Sequence, residues 1–452
     1  MTKPTHASRR SFLRSAGALA TVAGFNRFAT MNALAQSAGD YKALVCIFMF
    51  GGNDSHNMVI PQTGANFTAY KSIRGNLALP GNDAKVLPIS TADGTAYGLN
   101  DGLAAIHPLW AQRKLAAVAN VGMLAQPTTR AQYLAGTATV PTNLFSHSDQ
   151  VLSMQSGNAN GSGGTGWAGR IADAVQPMNG ASSFPAAISM SGSALFCTGN
   201  IVQSASLIPG FDLSPSGMST WPASATAARQ QALQEILTMN SGLTLVQAAN
   251  KVRQDAITLN GLLKNVSSGP AFTTQFPQTG IGRQMQQVAQ IIQLRASTGM
   301  SRQVFFCSLG GFDTHSAQSW EQWDLFKQIA AAMNAFYNAT GEMGLADKVT
   351  TFTESDFGRT LQPSGTGSDH GWGSHHLVMG GAVNGGNIWG AFPTLALGGP
   401  DDSGNRGAMI PTTSIDQYGA TMAKWFGVSP AALGQVFPSL PNFTVTDVGF
   451  LG

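Results

Sequence analysis

Charge is what this sequence has least of. Only 10% of its 452 residues are Asp, Glu, Lys or Arg, against roughly a quarter in ordinary soluble domains. With 43% apolar residues and 53 glycines, so little charge excludes a disordered polyelectrolyte and describes a folded, loop-rich protein. Cysteine is scarce too: Cys46, Cys197 and Cys307 permit at most one disulfide, which excludes a cysteine-stapled scaffold. Cys46 and Cys307 stand inside apolar runs, where a thiol behaves as a small hydrophobe. No apolar run reaches the roughly 20 residues that a transmembrane helix requires. Basic clusters are also missing. The net charge of +3 becomes −2 once the five cations Lys3, Arg9, Arg10, Arg14 and Arg27, which share residues 1–35 with no acid, are removed. Without a basic footprint, nucleic acid is excluded as a partner.

Those five cations belong to a segment with its own form. Ser8-Arg9-Arg10-Ser11-Phe12-Leu13-Arg14 precedes a weakly apolar stretch from Ala16 to Phe25, and Ala33-Leu34-Ala35 offers a small-x-small cleavage site before Gln36. The segment resembles a twin-arginine export signal. That resemblance implies handling by the twin-arginine export machinery, export after folding, often with a cofactor inserted, and a periplasmic or secreted mature protein.

Short apolar runs rich in β-branched and aromatic residues predict buried strands at Ala43 to Phe50, Leu115 to Val121, Gln303 to Leu309 and Val349 to Thr353. Helical periodicity alternates with them at Ala225 to Asn265, broken near Asn240, Ser241 and Gly242, at Arg283 to Ser297, and at Ser319 to Met343. The alternation predicts an α/β fold with a doubly wound, mostly parallel sheet covered by helices on both faces. No shift in composition marks a second domain, so residues 36–452 are read as one domain with a helical insertion near 225–300.

Three acidic motifs follow the carboxyl ends of predicted strands: Gly51-Gly52-Asn53-Asp54, Gly310-Gly311-Phe312-Asp313-Thr314-His315 and Glu354-Ser355-Asp356. Ligands of open parallel sheets bind beyond those ends, so Asp54, Asp313 and Asp356 are expected to converge. Five of the eight histidines, His147, His315, His370, His375 and His376, lie in or beside polar stretches. Carboxylate with imidazole suits a divalent ion of the zinc, manganese or iron type. Other readings stay open. Asp54 also suits a turn or helix cap, Asp313 and His315 a hydrogen-bonded loop pair, and Asp369 an acceptor that orients His370. His375 and His376 point in different directions, so at most one faces a site. Gly161-Ser162-Gly163-Gly164-Thr165-Gly166 lacks the Lys-Ser/Thr ending of a phosphate loop, and no Gly-x-Ser-x-Gly elbow follows a clear strand.

Phe50-Gly51-Gly52-Asn53-Asp54, Gly310 to His315, Ser355-Asp356-Phe357-Gly358-Arg359-Thr360 and Asp369-His370-Gly371-Trp372-Gly373, followed by Gly380-Gly381-Ala382-Val383-Asn384-Gly385-Gly386, resemble in order the DUF1501 family of exported bacterial proteins. That family is similar to the alkaline phosphatase and sulfatase superfamily. The resemblance implies a metal cluster beyond the strand ends, with Asp54 and Asp356 at one ion and Asp313, His315 and His370 at the other. Phe357 stands where the superfamily has a histidine, which removes a ligand and leaves one or two ions. Arg359 then offers positive charge for phosphate or sulfate oxygens, or a salt bridge to a neighbouring acid. The nucleophile implied at a helix start is Ser146, with Ser148 and His147 as rivals, and a plain cap as the structural alternative.

The expected protein is thus an exported metal-dependent hydrolase of phosphate or sulfate esters, its cofactor zinc or manganese. Its partner is a small anionic ester or a sulfated or phosphorylated glycan. The alternative is a catalytically silent envelope protein that binds a glycan, an anion or a partner protein.

Overall fold

A computed structural model describes residues 40–452 apart from 80–85, 162, 183, 203, 211–220, 223, 240, 241 and 267–270. The export leader, residues 1–35, lies outside the described residues, and so do Asn240 and Ser241 at the expected helix break.

The four predicted strands form as Lys42–Met49, Leu115–Gly122, Arg302–Leu309 and Val349–Ser355. Nearly every residue in them is buried, and successive side chains point to opposite faces, so both faces are covered. They belong to a nine-stranded sheet. Its order is Ile388–Trp389, Leu115–Gly122, Ser374–Met379, Val349–Ser355, Lys42–Met49, Arg302–Leu309, Ala187–Ser189 and Ala205–Ser206, with Thr413–Ser414 beside Leu115–Gly122. Lys42–Met49 pairs parallel to both of its neighbours in unbroken register, Ala43 opposite Gln303 and Val349.

Ser374–Met379 runs antiparallel to both of its neighbours, so the sheet is mixed, its other eight strands running one way as the expected mostly parallel sheet requires. The sequence conceals this strand because His375-His376 reads as polar. Both rings are buried in the sheet instead: the Asn120 amide donates to His375 Nδ1 at 2.9 Å, and His376 stacks at a tilt on Tyr418 with centroids 5.8 Å apart. Neither histidine lies in a loop. Burial holds both rings, and that of His56, down to about 3, so they are neutral core residues.

The helices Ser224–Thr238 and Thr244–Val266 form where the insertion was expected, followed by Gly280–Gln293, which the Thr279 side chain caps, and Gln318–Glu342. No described helix is long and apolar enough to cross a membrane. Trp167 packs on Phe196 at 4.7 Å and on Phe352 at 5.7 Å between centroids, and all three cysteines are buried and unbridged.

Buried neutral histidines make the fold acid-sensitive. The unfolded chain takes up protons below about pH 6.5 that the buried rings refuse until about pH 3, so stability is present above that window and falls within it. Each such ring steepens the loss by up to about 1.4 kcal/mol per pH unit. Thermal unfolding of His376→Phe between pH 7 and pH 4 is expected to show a shallower decline than the wild type, whatever its stability at pH 7.

Candidate metal centre

After Met49 the chain passes through Gly51 and Gly52 at φ +117° and +81°, conformations that a side chain disfavours. A Cβ at Gly51 would stand 2.3 Å from the Asp313 amide nitrogen, and one at Gly52 2.4 Å from the Phe357 ring. Only glycine lets the loops beyond the strand ends close this far. Ser355 Oγ fastens the same corner, donating to the Met49 carbonyl at 2.7 Å and accepting from the Asn53 amide at 2.9 Å.

Two layers of charge result. In the inner layer the Asp54 carboxylate meets the Arg74 guanidinium and the Gln318 side-chain amide, and accepts from the His56 amide at 3.2 Å. Arg74 and Asp54 are completely enclosed. Arg74 also donates to the carbonyls of Thr360 and Leu361 at 3.2 Å, and Gln318 accepts from Ser368 Oγ at 2.5 Å.

The outer layer surrounds one oxygen. Asp313 Oδ1 lies 2.9 Å from His315 Nε2, 3.0 Å from Arg359 NH1, and 3.4 Å from both His147 Nε2 and His370 Nε2. The Nε2 atoms of His315 and His370 are 3.1 Å apart. Two of these rings are held from behind. His147 Nδ1 donates to Asp356 Oδ2 at 2.7 Å, and Asp356 in turn accepts twice from the Gly51 amide, at 3.0 and 3.2 Å. His370 Nδ1 donates to the Phe145 carbonyl at 2.8 Å. Phe145 adopts φ +78°, a strained conformation that aims this oxygen at the ring. An acceptor at Nδ1 puts the proton there and leaves the Nε2 lone pair of the neutral imidazole toward Asp313. His147 Nε2 is enclosed without a hydrogen-bond partner.

The charges answer one another. Burial alone would raise the Asp313 carboxyl, but the Arg359 bond and charge, with His147 and His315, hold it below the ordinary carboxylate range. The hydrogen bond to Asp356 leads in raising His147 above the ordinary imidazole value, against burial.

The structure thus brings Asp313, His315 and His370 together, joins Asp356 to them through His147, and keeps Asp54 apart in its own ion pair. Arg359 is wholly buried, and its donors go to Ser368 and Gly51 carbonyls and to Asp313. It positions Asp313 rather than facing solvent. Ser146 starts the helix His147–Ser156, and its hydroxyl donates to Asp149 at 2.6 Å and meets Ser148 at 3.2 Å. His147, expected as one of the histidines of the polar stretches and as a rival nucleophile but outside the implied ligand set, stands here among the donor atoms. The available signal was a histidine beginning a helix in a chain with an acid at a strand end. Phe357 packs on the rings of His147 and His370, at 4.7 and 4.9 Å between centroids.

His147, Asp313 and His370 offer ligand atoms within 4.8 Å of one another, and so do His315, Asp369 and His370. The 3.4 Å edges from Asp313 Oδ1 to His147 and His370 match those of a tetrahedron of ligands about 2.0–2.2 Å from a zinc-like ion, whereas the 2.9 Å edge to His315 is too short for one.

Stranding one partner of an enclosed ion pair is far costlier than removing both. Arg74→Ala is expected to lose about 3–5 kcal/mol of unfolding free energy, and Arg74→Met combined with Asp54→Leu clearly less, by denaturant titration.

Nothing among curated proteins matches the chain. Among solved structures, the crystal structure of Ps i-CgsB aligns with 86% of this chain and 72% of that one at 10% identity and a TM-score of 0.35. Residues 41–402 match the family described as protein of unknown function DUF1501, and the chain belongs to that family.

Proposed function

We propose that this protein is an exported metal-dependent hydrolase of phosphate or sulfate esters on an alkaline-phosphatase-like frame. The observation that carries the reading is the convergence of His147, His315 and His370 on one oxygen of Asp313, with the Nδ1 atoms of His147 and His370 fixed by Asp356 and the Phe145 carbonyl. The residues fit a divalent ion, because the enclosed, unpartnered Nε2 of His147 and the close Nε2 pair of His315 and His370 are what such an ion would satisfy. A bound zinc or manganese ion supplies a Lewis acid and makes bound water acidic.

One ion per chain is the stoichiometry we favour. Asp54 is occupied by Arg74 and Gln318, and Phe357 has no lone pair to offer. The two donor groups share His370, whose Nδ1 is committed to Phe145, so its single remaining nitrogen serves one ion at a time. His147, Asp313 and His370 hold the ion. His315 has the most exposed side chain of the three imidazoles, at 49% against 32% for His147 and 23% for His370, and closes the centre from the solvent side where an ester arrives. The leader's form supports twin-arginine export to the periplasm or beyond.

For the nucleophile we propose water. The Ser146 hydroxyl is held by Asp149, which bonds to Ser146 and other neighbouring hydroxyl and amide groups pull below its ordinary range, so it is a weak base for that serine. Phe357 over the rings and the engaged Ser146 hydroxyl favour, as a second reading, a silent envelope protein that binds a glycan, an anion or a partner.

Elemental analysis after purification without added metal is expected to find about one zinc or manganese ion per chain. Turnover of aryl phosphate or aryl sulfate is expected to vanish with the ion in Asp313→Ala and His147→Ala, folding being checked by circular dichroism. A chain that binds no ion and turns over neither ester leaves the silent reading. Ser146→Ala is expected to keep turnover within about threefold, whereas a loss of about a thousandfold makes that serine the nucleophile.

A further inference from the structure

Hydrolysis of a phosphate or sulfate ester needs a group that recognises the oxyanion, and the interior bonds of Arg359 withhold that guanidinium. We propose that Arg406 recognises the anionic oxygens of the ester, an inference that rests on the hydrolase reading.

Three independent observations place it. The first is position: Arg406 NH1 donates to Asp369 Oδ2 at 3.1 Å, and Asp369 belongs to the donor group with His315 and His370. That places this guanidinium beside the donor group that shares His370 with the residues proposed to hold the ion. The second is exposure, since the Arg406 side chain is 46% accessible whereas that of Arg359 is completely enclosed. Its bond to Asp369 uses one of five N–H donors, and the planar fork matches two oxygens of a tetrahedral anion. The third is rigidity. The wholly buried Asp402 accepts from the amides of Gly398, Gly404 and Gly407 at 2.8, 2.9 and 2.9 Å, and the Arg406 carbonyl accepts from the Gln362 amide at 3.0 Å. This loop is built around a carboxylate, and the guanidinium stands on a fixed base.

Asp369 is anchored as well, its amide donating to Thr360 Oγ1 at 3.1 Å and its Oδ1 accepting from the His370 amide at 2.9 Å. An exposed ion pair contributes little to stability, so stability alone does not account for a pair pinned at both ends. Anion capture accounts for it instead, because Asp369 ties the guanidinium to the edge of the histidine cluster, where one ester oxygen at the ion and a second at Arg406 would be held together.

The test uses the full mature chain loaded with zinc, with orthophosphate and sulfate as probes in calorimetric titration. Arg406→Ala is expected to bind the better probe at least about tenfold more weakly at unchanged zinc content, and Arg406→Lys to recover part of the loss. With an aryl ester the same loss is expected in KM, with kcat changed much less. Arg406→Ala binding the probe within about twofold of the wild type overturns the assignment and leaves the hydrolase reading intact. Loss of zinc in Arg406→Ala overturns it too, because the residue then supports the ion. Wild-type protein that loads zinc but binds neither probe sinks the hydrolase reading and this inference together.

Discussion

How closely three chain segments can approach at Gly51 decides the rest of the centre. Its amide donates to Asp356, its carbonyl accepts from Arg359, and its missing side chain makes room for the Asp313 backbone. One residue therefore aims two acids and a guanidinium. The strands bring these segments only to the same edge of the sheet. The glycine turns carry them the remaining ångströms into hydrogen-bonding range.

Asp54 and Asp313 leave neighbouring strand ends and meet different fates because their burial differs. Asp54 is sealed from water, where an unpaired carboxylate is prohibitive, and it is matched by a guanidinium that is sealed in beside it. Asp313 is 46% exposed, so water shares in its solvation and an exchangeable ion can complete its coordination. The imidazoles around it are individually weak partners. Their arrangement acquires meaning from the acceptors behind two of them, which fix the face that each ring presents.

Strand positions were readable in the sequence because a strand buried on both faces is a continuous apolar run, and Leu44 to Met49 or Val304 to Leu309 can be little else. The acids of the centre were readable for the same reason, standing where such runs stop. Arg74 was not. It ends a helix whose other side chains are largely solvated, and nothing local says that it turns inward to Asp54, 20 residues earlier. The bond of His147 to Asp356 was not readable either, because 209 residues separate the two. His375 and His376, which the sequence left outside the expected ligand set, are titratable in principle and kept neutral by a sheet whose strand the sequence disguised.

The Arg74 guanidinium has one more consequence. A cation supplied by the polypeptide cannot be chelated, exchanged or starved out of the cell, so the deep half of the charge balance is completed as the chain folds. Only the shallow half, at Asp313, is left open to solvent. On the reading proposed above, the fold is complete before any ion arrives.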